Sequence, residues 1–170
     1  MNAEARRPMR RADKQVAERA RLEEILAQAP VCRLGLAEPG PDGPEPYVVP
    51  VFFAYREGKI YVHSADEGRK IEALRRNPRV CVEVDEYRGI YPAEKPCGYS
   101  SLFRSVIGCG TAVFLEDPQA KREALDLLME KYAGRRTSAG FEFSDATLRA
   151  TAVLEIKLEQ LSGKQSKHWE

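Results

Sequence analysis

The residues with the most chemical potential lie close together. His63-Ser64 is followed, after Ala65-Asp66-Glu67, by Gly68-Arg69-Lys70. An imidazole exchanges a proton near neutral pH and suits general acid–base work. A glycine before two cations suits an anion when it opens a helix. The glycine lets backbone approach a ligand, and the helix start presents unpaired N–H groups and about half a positive charge. The surrounding pattern predicts such a helix. Tyr61 and Val62 are strand formers, Asp66 and Gly68 are turn residues, and Ile71, Leu74 and the stem of Arg75 fall at helical spacing. Asn77-Pro78 ends the helix, because a residue before proline is pushed out of the α region. Gly68-Arg69-Lys70 therefore reads either as a phosphate cradle or as the solvated start of an ordinary surface helix.

Further polar or proline positions interrupt apolar runs. Arg104 and Ser105 stand inside the strand-like segment from Ser100 to Leu115. A guanidinium there needs a partner, either a carboxylate such as Glu83 or Asp85 or a ligand phosphate. Pro50 lies inside Pro46–Tyr55, whose alternating positions are apolar on both faces, so this strand is expected to be buried on both sides. Pro50 gives no ladder donor and marks a bulge or edge where backbone groups are free.

The elements that position these residues follow from periodicity. A helix is expected from Asp13, as cap, to about Gln28, then a strand over 31–37. Pro39–Pro44 reads as a loop unable to form a ladder. After Pro46–Tyr55, Arg56–Lys59 reads as a hairpin turn into the strand ending at Ser64. Residues 79–86 alternate as a strand with one wet face, and 87–99 read as a long loop. The segment 100–115 is a strand, Asp117-Pro118 opens a helix that Gly134 ends, residues 144–148 make one helical turn, and 151–158 form a last strand. Three units are expected: a basic, mobile arm (1–13), one domain (14–160) and a polar tail (161–170). The fold class is mainly β with peripheral helices, a six-stranded antiparallel barrel. No Gly-x-Gly-x-x-Gly opens a helix after a strand, so a Rossmann site is not supported.

Composition narrows the function classes. The 170 residues fit one domain, and a formal net charge of +1 gives no global pull toward nucleic acid or an anionic membrane. There is no apolar run of about 18 residues and no apolar leader, which points to a cytoplasmic protein with no membrane partner. Cys32, Cys81, Cys97 and Cys109 form no Cys-x-x-Cys pair. Cys32, Cys81 and Cys109 sit among strand formers and read as small buried apolar groups, whereas Cys97 lies in a loop. In a reducing compartment disulfides are not expected.

The chain resembles the split-barrel flavoproteins related to pyridoxamine 5′-phosphate oxidase, and within them the nitroimidazole-resistance branch. The likeness is carried in order by Arg10-Arg11, Val31–Gly35, Pro46–Pro50, Tyr61-x-His63 through Gly68-Arg69-Lys70, Asn77–Cys81, Tyr99 with Arg104–Gly108, and Ser162-Gly163-Lys164. It implies an FMN-binding homodimer with flavin sites at the subunit interface and a small-molecule substrate. It implies that Gly68, Arg69 and Lys70 hold the FMN phosphate, that Ser64 also binds the cofactor, and that Arg104 and Ser105 approach the phosphate or ribityl chain. The backbone of Pro50, Val51, Phe52 and Phe53 would face the isoalloxazine edge, His63 would be catalytic near the reactive side, and Trp169 would pack by the partner's flavin. The arginine-rich FMN signature and pyridoxal phosphate grip of the oxidase proper are not evident. Electron transfer from a nicotinamide donor to a nitroaromatic or quinone-like acceptor is the enzymatic reading. A non-turnover module for flavin, deazaflavin F420 or haem is the alternative on the same fold.

Overall fold

The computed structural model describes residues 8–134 and 141–169. Twelve regular elements follow one another as β1 (Gln15–Val16), α1 (Arg19–Gln28), β2 (Cys32–Gly40), β3 (Gly43–Val51), β4 (Ala54–Arg56), β5 (Lys59–Ala65), α2 (Arg69–Arg76), β6 (Arg79–Tyr91), β7 (Ser100–Phe114), α3 (Pro118–Ala133), α4 (Asp145–Ala150) and β8 (Thr151–Gln165), with short 3-10 turns at Ala12–Lys14 and Pro96–Gly98. The strands form one antiparallel sheet in the order β3-β2-β6-β7-β8-β5-β4, with β1 paired to β8. One buried cluster joins Leu34 of β2, Val82 of β6, Val106 of β7, Ile156 of β8 and Val62 of β5 with Leu22, Ile25 and Leu26 of α1. Strands far apart in the order share this core, so the sheet is rolled around α1. A second cluster seats Leu125 and Leu128 of α3 and Leu148 of α4 against Ala54 and Val153.

The fold is mainly β with peripheral helices, as the sequence predicts, but the sheet is open and has eight strands rather than six. The two extra strands have local causes. The run read as one strand over 46–55 breaks at Phe52-Phe53 into β3 and β4. The segment read as the start of the first helix is instead β1, where Gln15 faces Lys164 and Val16 faces Gly163. Gly163 permits that closure, since a Cβ there would stand 2.3 Å from a Leu22 methyl. Asp13 pairs with Arg11 at 2.7 Å rather than capping α1.

Other boundaries also moved. Pro39–Pro44 forms a ladder, with Pro39 opposite Pro44 and Gly40 opposite Gly43. Pro44, Pro46 and Pro50 share one parity on an edge strand, so their ring nitrogens fall at outward positions where no donor is needed. β6 runs past residue 86 to Tyr91 through a bulge between Tyr87 and Gly89, whose φ of 121° favours glycine. β8 continues through Ser162–Gln165, so the expected tail from 161 begins as sheet. The run 46–55 is not buried on both sides: Val48 of β3 and Phe52 at the break are 60% and 58% exposed. Cys81 is exposed, because it shares the wet face of β6 with Glu83 and Asp85. Residues 1–7, including Arg6 and Arg7 of the expected arm, lie outside the described residues.

Candidate functional site

β5 and α2 meet as the sequence predicts. His63 lies near the end of β5, opposite Val153 of β8, and Gly68 is the residue before α2, with φ 101° and ψ 171°. No side chain caps α2, and its first backbone bond runs from Glu72 N–H to the Gly68 carbonyl. The amide groups of Arg69, Lys70 and Ile71 therefore have no intrahelical acceptor. A Cβ at Gly68 would meet nothing within 4 Å, so glycine is required there for its positive φ.

Beside this helix start, His63 and Lys70 line a cleft of about 370 Å³ with Val31, Pro50, Val51 and Phe52. Residues from the β3–β4 break, β5 and α2, distant in sequence, thus share one cavity. Its wall is apolar, and its two polar side chains are His63 and Lys70. Neither makes a hydrogen bond or ion pair among the described residues. Burial without an acidic neighbour pushes the Lys70 ammonium below the ordinary lysine value.

The wall is held from behind by α3. The Tyr132 hydroxyl accepts from Phe53 N–H at 3.0 Å and donates toward the Pro30 carbonyl at 2.8 Å, with the Phe53 carbonyl 3.0 Å away. The Tyr132 ring meets Phe52 edge-on, 5.0 Å between centroids. Lys131 stands 3.6 Å from the Phe53 ring centre and donates to the Ala29 carbonyl at 2.7 Å. Burial pushes Lys131 down to about 8. Phe53 itself is fully buried, so only its backbone belongs to the break that shapes the cleft.

Of the residues singled out from the sequence, Pro50, Val51, Phe52, His63 and Lys70 come together here. Ser64, Gly68 and Arg69 adjoin it in the chain without lining it. Arg69 is engaged elsewhere: its Nε donates to Glu38 at 2.7 Å, and its guanidinium lies 4.2 Å over Tyr47. Arg104, Ser105 and Trp169 are not at this cleft. His63 pairs with Val153 and Arg104 with Gln165, positions twelve residues apart on β8, up to about 40 Å of extended strand. Ser105 faces Asp85 on one side and Lys164 on the other.

Arg104 is 2% exposed and satisfied within the chain. It meets both Glu86 oxygens at 2.9 Å and donates to Gln28 Oε1. Trp169, 5% exposed, lies under it at 5.0 Å and under Arg88 at 4.0 Å. His168 stacks on Tyr91 at 3.8 Å. The last aromatic is thus docked on its own protomer. Sequence reading missed Val31, Tyr132 and Glu38 as contributors to the site; nothing local distinguishes Tyr132 from the other apolar residues of its helix.

A larger concavity, about 750 Å³, lies away from this cleft, between Asp13–Glu18, Arg21, Glu24 and Gln165–Lys167. It brings together charges of both signs with no shared chemistry, so the smaller cleft is the better candidate site. Among the described residues, no group of three or more His, Cys, Asp or Glu could hold a metal ion, and no helix is long and apolar enough to cross a membrane.

A mainly antiparallel, rolled sheet with few helices is consistent with the split-barrel fold. The sequence model of the family described as pyridoxamine 5′-phosphate oxidase matches residues 18–165, and the chain belongs to that family. No curated protein matches it at a significant level. Among solved structures, a proposed 5-nitroimidazole antibiotic resistance protein from Bacteroides thetaiotaomicron VPI-5482 is 35% identical, with a TM-score of 0.73 over 88% of this chain and 85% of that one. An FAD and haem binding protein from Mycobacterium smegmatis is 25% identical, with a TM-score of 0.81 over 92% and 75% of the two chains. An FAD-binding protein from Mesorhizobium loti is 26% identical, with a TM-score of 0.65 over 91% and 98%. The first of these matches the branch that the sequence motifs resemble.

Proposed function

We propose that the chain is an FMN-binding oxidoreductase that passes electrons from a nicotinamide donor to a small acceptor such as a nitroaromatic. The observation that carries this reading is the cleft itself, where a half-buried Lys70 without a partner among the described residues and the uncapped start of α2 adjoin an apolar wall. Those features fit a planar aromatic group bearing a phosphate. Lys70 and the free amides at the start of α2 would hold the phosphate, and Val31, Pro50, Val51 and Phe52 would flank the ring system. Arg69 keeps Glu38, so the cradle uses one side-chain cation rather than two.

The flavin, when bound, would supply hydride and electron transfer. The protein's part is to bind, orient and shield. His63, untied at the cleft wall, holds a proton on an imidazole nitrogen for a reduced substrate atom. Phe52, 58% exposed, and Val48, 60% exposed, leave an apolar surface beside the cleft that a second copy of the chain would cover. The active form is therefore proposed to be a homodimer, with each flavin site completed by the partner.

The test is an absorbance spectrum of the purified protein before and after adding FMN, followed by nicotinamide oxidation with a nitroaromatic acceptor. A flavin band with acceptor-dependent turnover supports the reading. No flavin binding overturns it. A Soret band instead would favour the haem-binding alternative, which the relative that binds FAD and haem keeps in view.

A further inference from the structure

Two of the four cysteines face each other across adjacent strands. Cys81 of β6 is directly opposite Cys109 of β7. The phase of that ladder follows from one bond: Ala112 N–H donates to the Pro78 carbonyl at 2.9 Å. Residues 78 and 112 are therefore a hydrogen-bonded pair. Antiparallel pairs alternate in kind, so Arg79–Thr111 is non-hydrogen-bonded, Val80–Gly110 bonded and Cys81–Cys109 non-hydrogen-bonded. In such pairs the Cα atoms stand about 4.5 Å apart and the side chains are at their closest. The preceding pair of the same kind shows that closeness, since Arg79 Nη1 donates to Thr111 Oγ1 at 3.0 Å.

A separation of about 4.5 Å lies within the range that a disulfide spans. Cys81 is exposed and Cys109 partly so, which opens the pair to small molecules. On the other flank, β2 places Gly35 opposite Cys81, where even a Cβ would come no nearer than 3.5 Å. That glycine leaves the thiol uncovered on the side away from Cys109. Cys32, by contrast, is fully buried, and burial holds its thiol up to about 12.

We propose that Cys81 and Cys109 are a reversible cross-strand dithiol–disulfide pair, oxidised by exchange with a small-molecule disulfide. The thiolate of Cys81 attacks one sulfur of that disulfide; a mixed disulfide forms and one thiolate leaves. Cys109, deprotonated in turn, attacks the Cys81 sulfur and displaces the second thiolate. The pair loses two electrons and two protons, and the small disulfide becomes two thiols. Cβ atoms in cross-strand pairs are about 4.5–5.5 Å apart, at or beyond the upper edge of relaxed disulfide geometry, so closing the bond draws β6 and β7 together. Strained, exposed disulfides of this kind are the readily reduced ones.

The test uses the full, folded chain. Oxidised glutathione is added in mildly alkaline buffer, then thiols are counted and digested peptides are weighed. The expected result is the loss of two reactive thiols, a Cys81–Cys109 linked peptide, no covalent dimer, and full reversal by dithiothreitol. Cys109→Ser is expected to stop at a stoichiometric glutathione adduct on Cys81, whereas Cys97→Ser leaves the pairing unchanged. Persistent glutathione adducts on the parent chain overturn the proposal. So does a pair that reacts only after denaturation, as it would if a second copy of the chain covered this face.

Discussion

The two ends of β8 hold cations in opposite circumstances. Near its start, beside His63, Lys70 borders an open cleft and touches no acid among the described residues. Near its end, Arg104 is sealed in the chain with both Glu86 oxygens, Gln28 and the Trp169 face. In sequence each is a cation near apolar residues, Lys70 at a helix start and Arg104 inside a strand-like run. The difference is one of satisfaction. A buried charge with its partners in place belongs to the scaffold, whereas a half-buried charge without them awaits a ligand.

The sharpest way to break this contrast is to remove Arg104. Arg104→Ala leaves Glu86 largely buried without its counter-ion and removes the support of Trp169, so unfolding free energy should fall by about 3–5 kcal/mol in chemical denaturation. Lysine is not an adequate replacement, because it cannot meet both carboxylate oxygens. Flavin affinity, measured on the fraction that stays folded, should be unchanged. A selective loss of FMN affinity with normal stability would move Arg104 into the site and undo the comparison.

Lys70→Ala should behave in the opposite way. Stability should be unchanged or slightly raised, since a half-buried ammonium without a partner is removed. FMN affinity should fall by about 10- to 100-fold, the worth of about 1.5–3 kcal/mol for a hydrogen bond to a charged group. Fluorescence titration of FMN reads this directly. Equal affinity in parent and variant would show that the start of α2 binds without Lys70, or that the phosphate lies elsewhere.

This contrast also marks where sequence reasoning stops. Gly68, Asn77 and the spacing of Ile71 and Leu74 act locally, so α2 and its start were legible to the residue. Asp117 with Pro118 and Gly134 likewise announced both ends of α3. Partners were not legible, because register decides them. Glu86 rather than Glu83 or Asp85 faces Arg104, and Glu38, which captures Arg69, lies on a strand that runs on into the ladder that Pro39, Pro41 and Pro44 seemed to forbid. Pro44 was misjudged because the edge position of β3, which frees outward nitrogens from donating, is a property of the whole sheet. Similarly, the C-terminal strand owes its last turns to β1 and β7, neither of which is near it in sequence.

A smaller effect tests the support behind the cleft. Tyr132→Phe keeps the ring against Phe52 but removes the hydroxyl that joins Phe53 N–H to the Pro30 carbonyl. Loss of about 1–2 kcal/mol is expected, with faster hydrogen exchange at the Phe53 amide. If the wall is organised by this hydroxyl, FMN affinity should fall modestly as well, by less than in Lys70→Ala. Unchanged exchange at Phe53 would show that packing alone fixes the break.

The smallest effect lies between the two extremes, in Lys131, which is neither free like Lys70 nor paired with an acid like Arg104. Burial holds its folded value at about 8 against an ordinary 10.5. Below about 8 the folded chain carries the full penalty of a partly desolvated ammonium. Between about 8 and 10 the folded chain has begun to release this proton while the unfolded chain still holds it, so stability should rise with pH across that window. Lys70, displaced downward by the same cause, adds in the same direction. The difference is less than one proton per lysine, and solvent around these partly exposed groups reduces its energetic weight. Denaturation midpoints of the ligand-free chain should therefore climb gently over this range and flatten in Lys131→Met. FMN affinity should move the other way once Lys70, held below the ordinary lysine value by burial, gives up the charge that holds the phosphate. A common trend for stability and affinity would mean that the free cation and the buried one respond to the same group, and that the cleft is not an independent site.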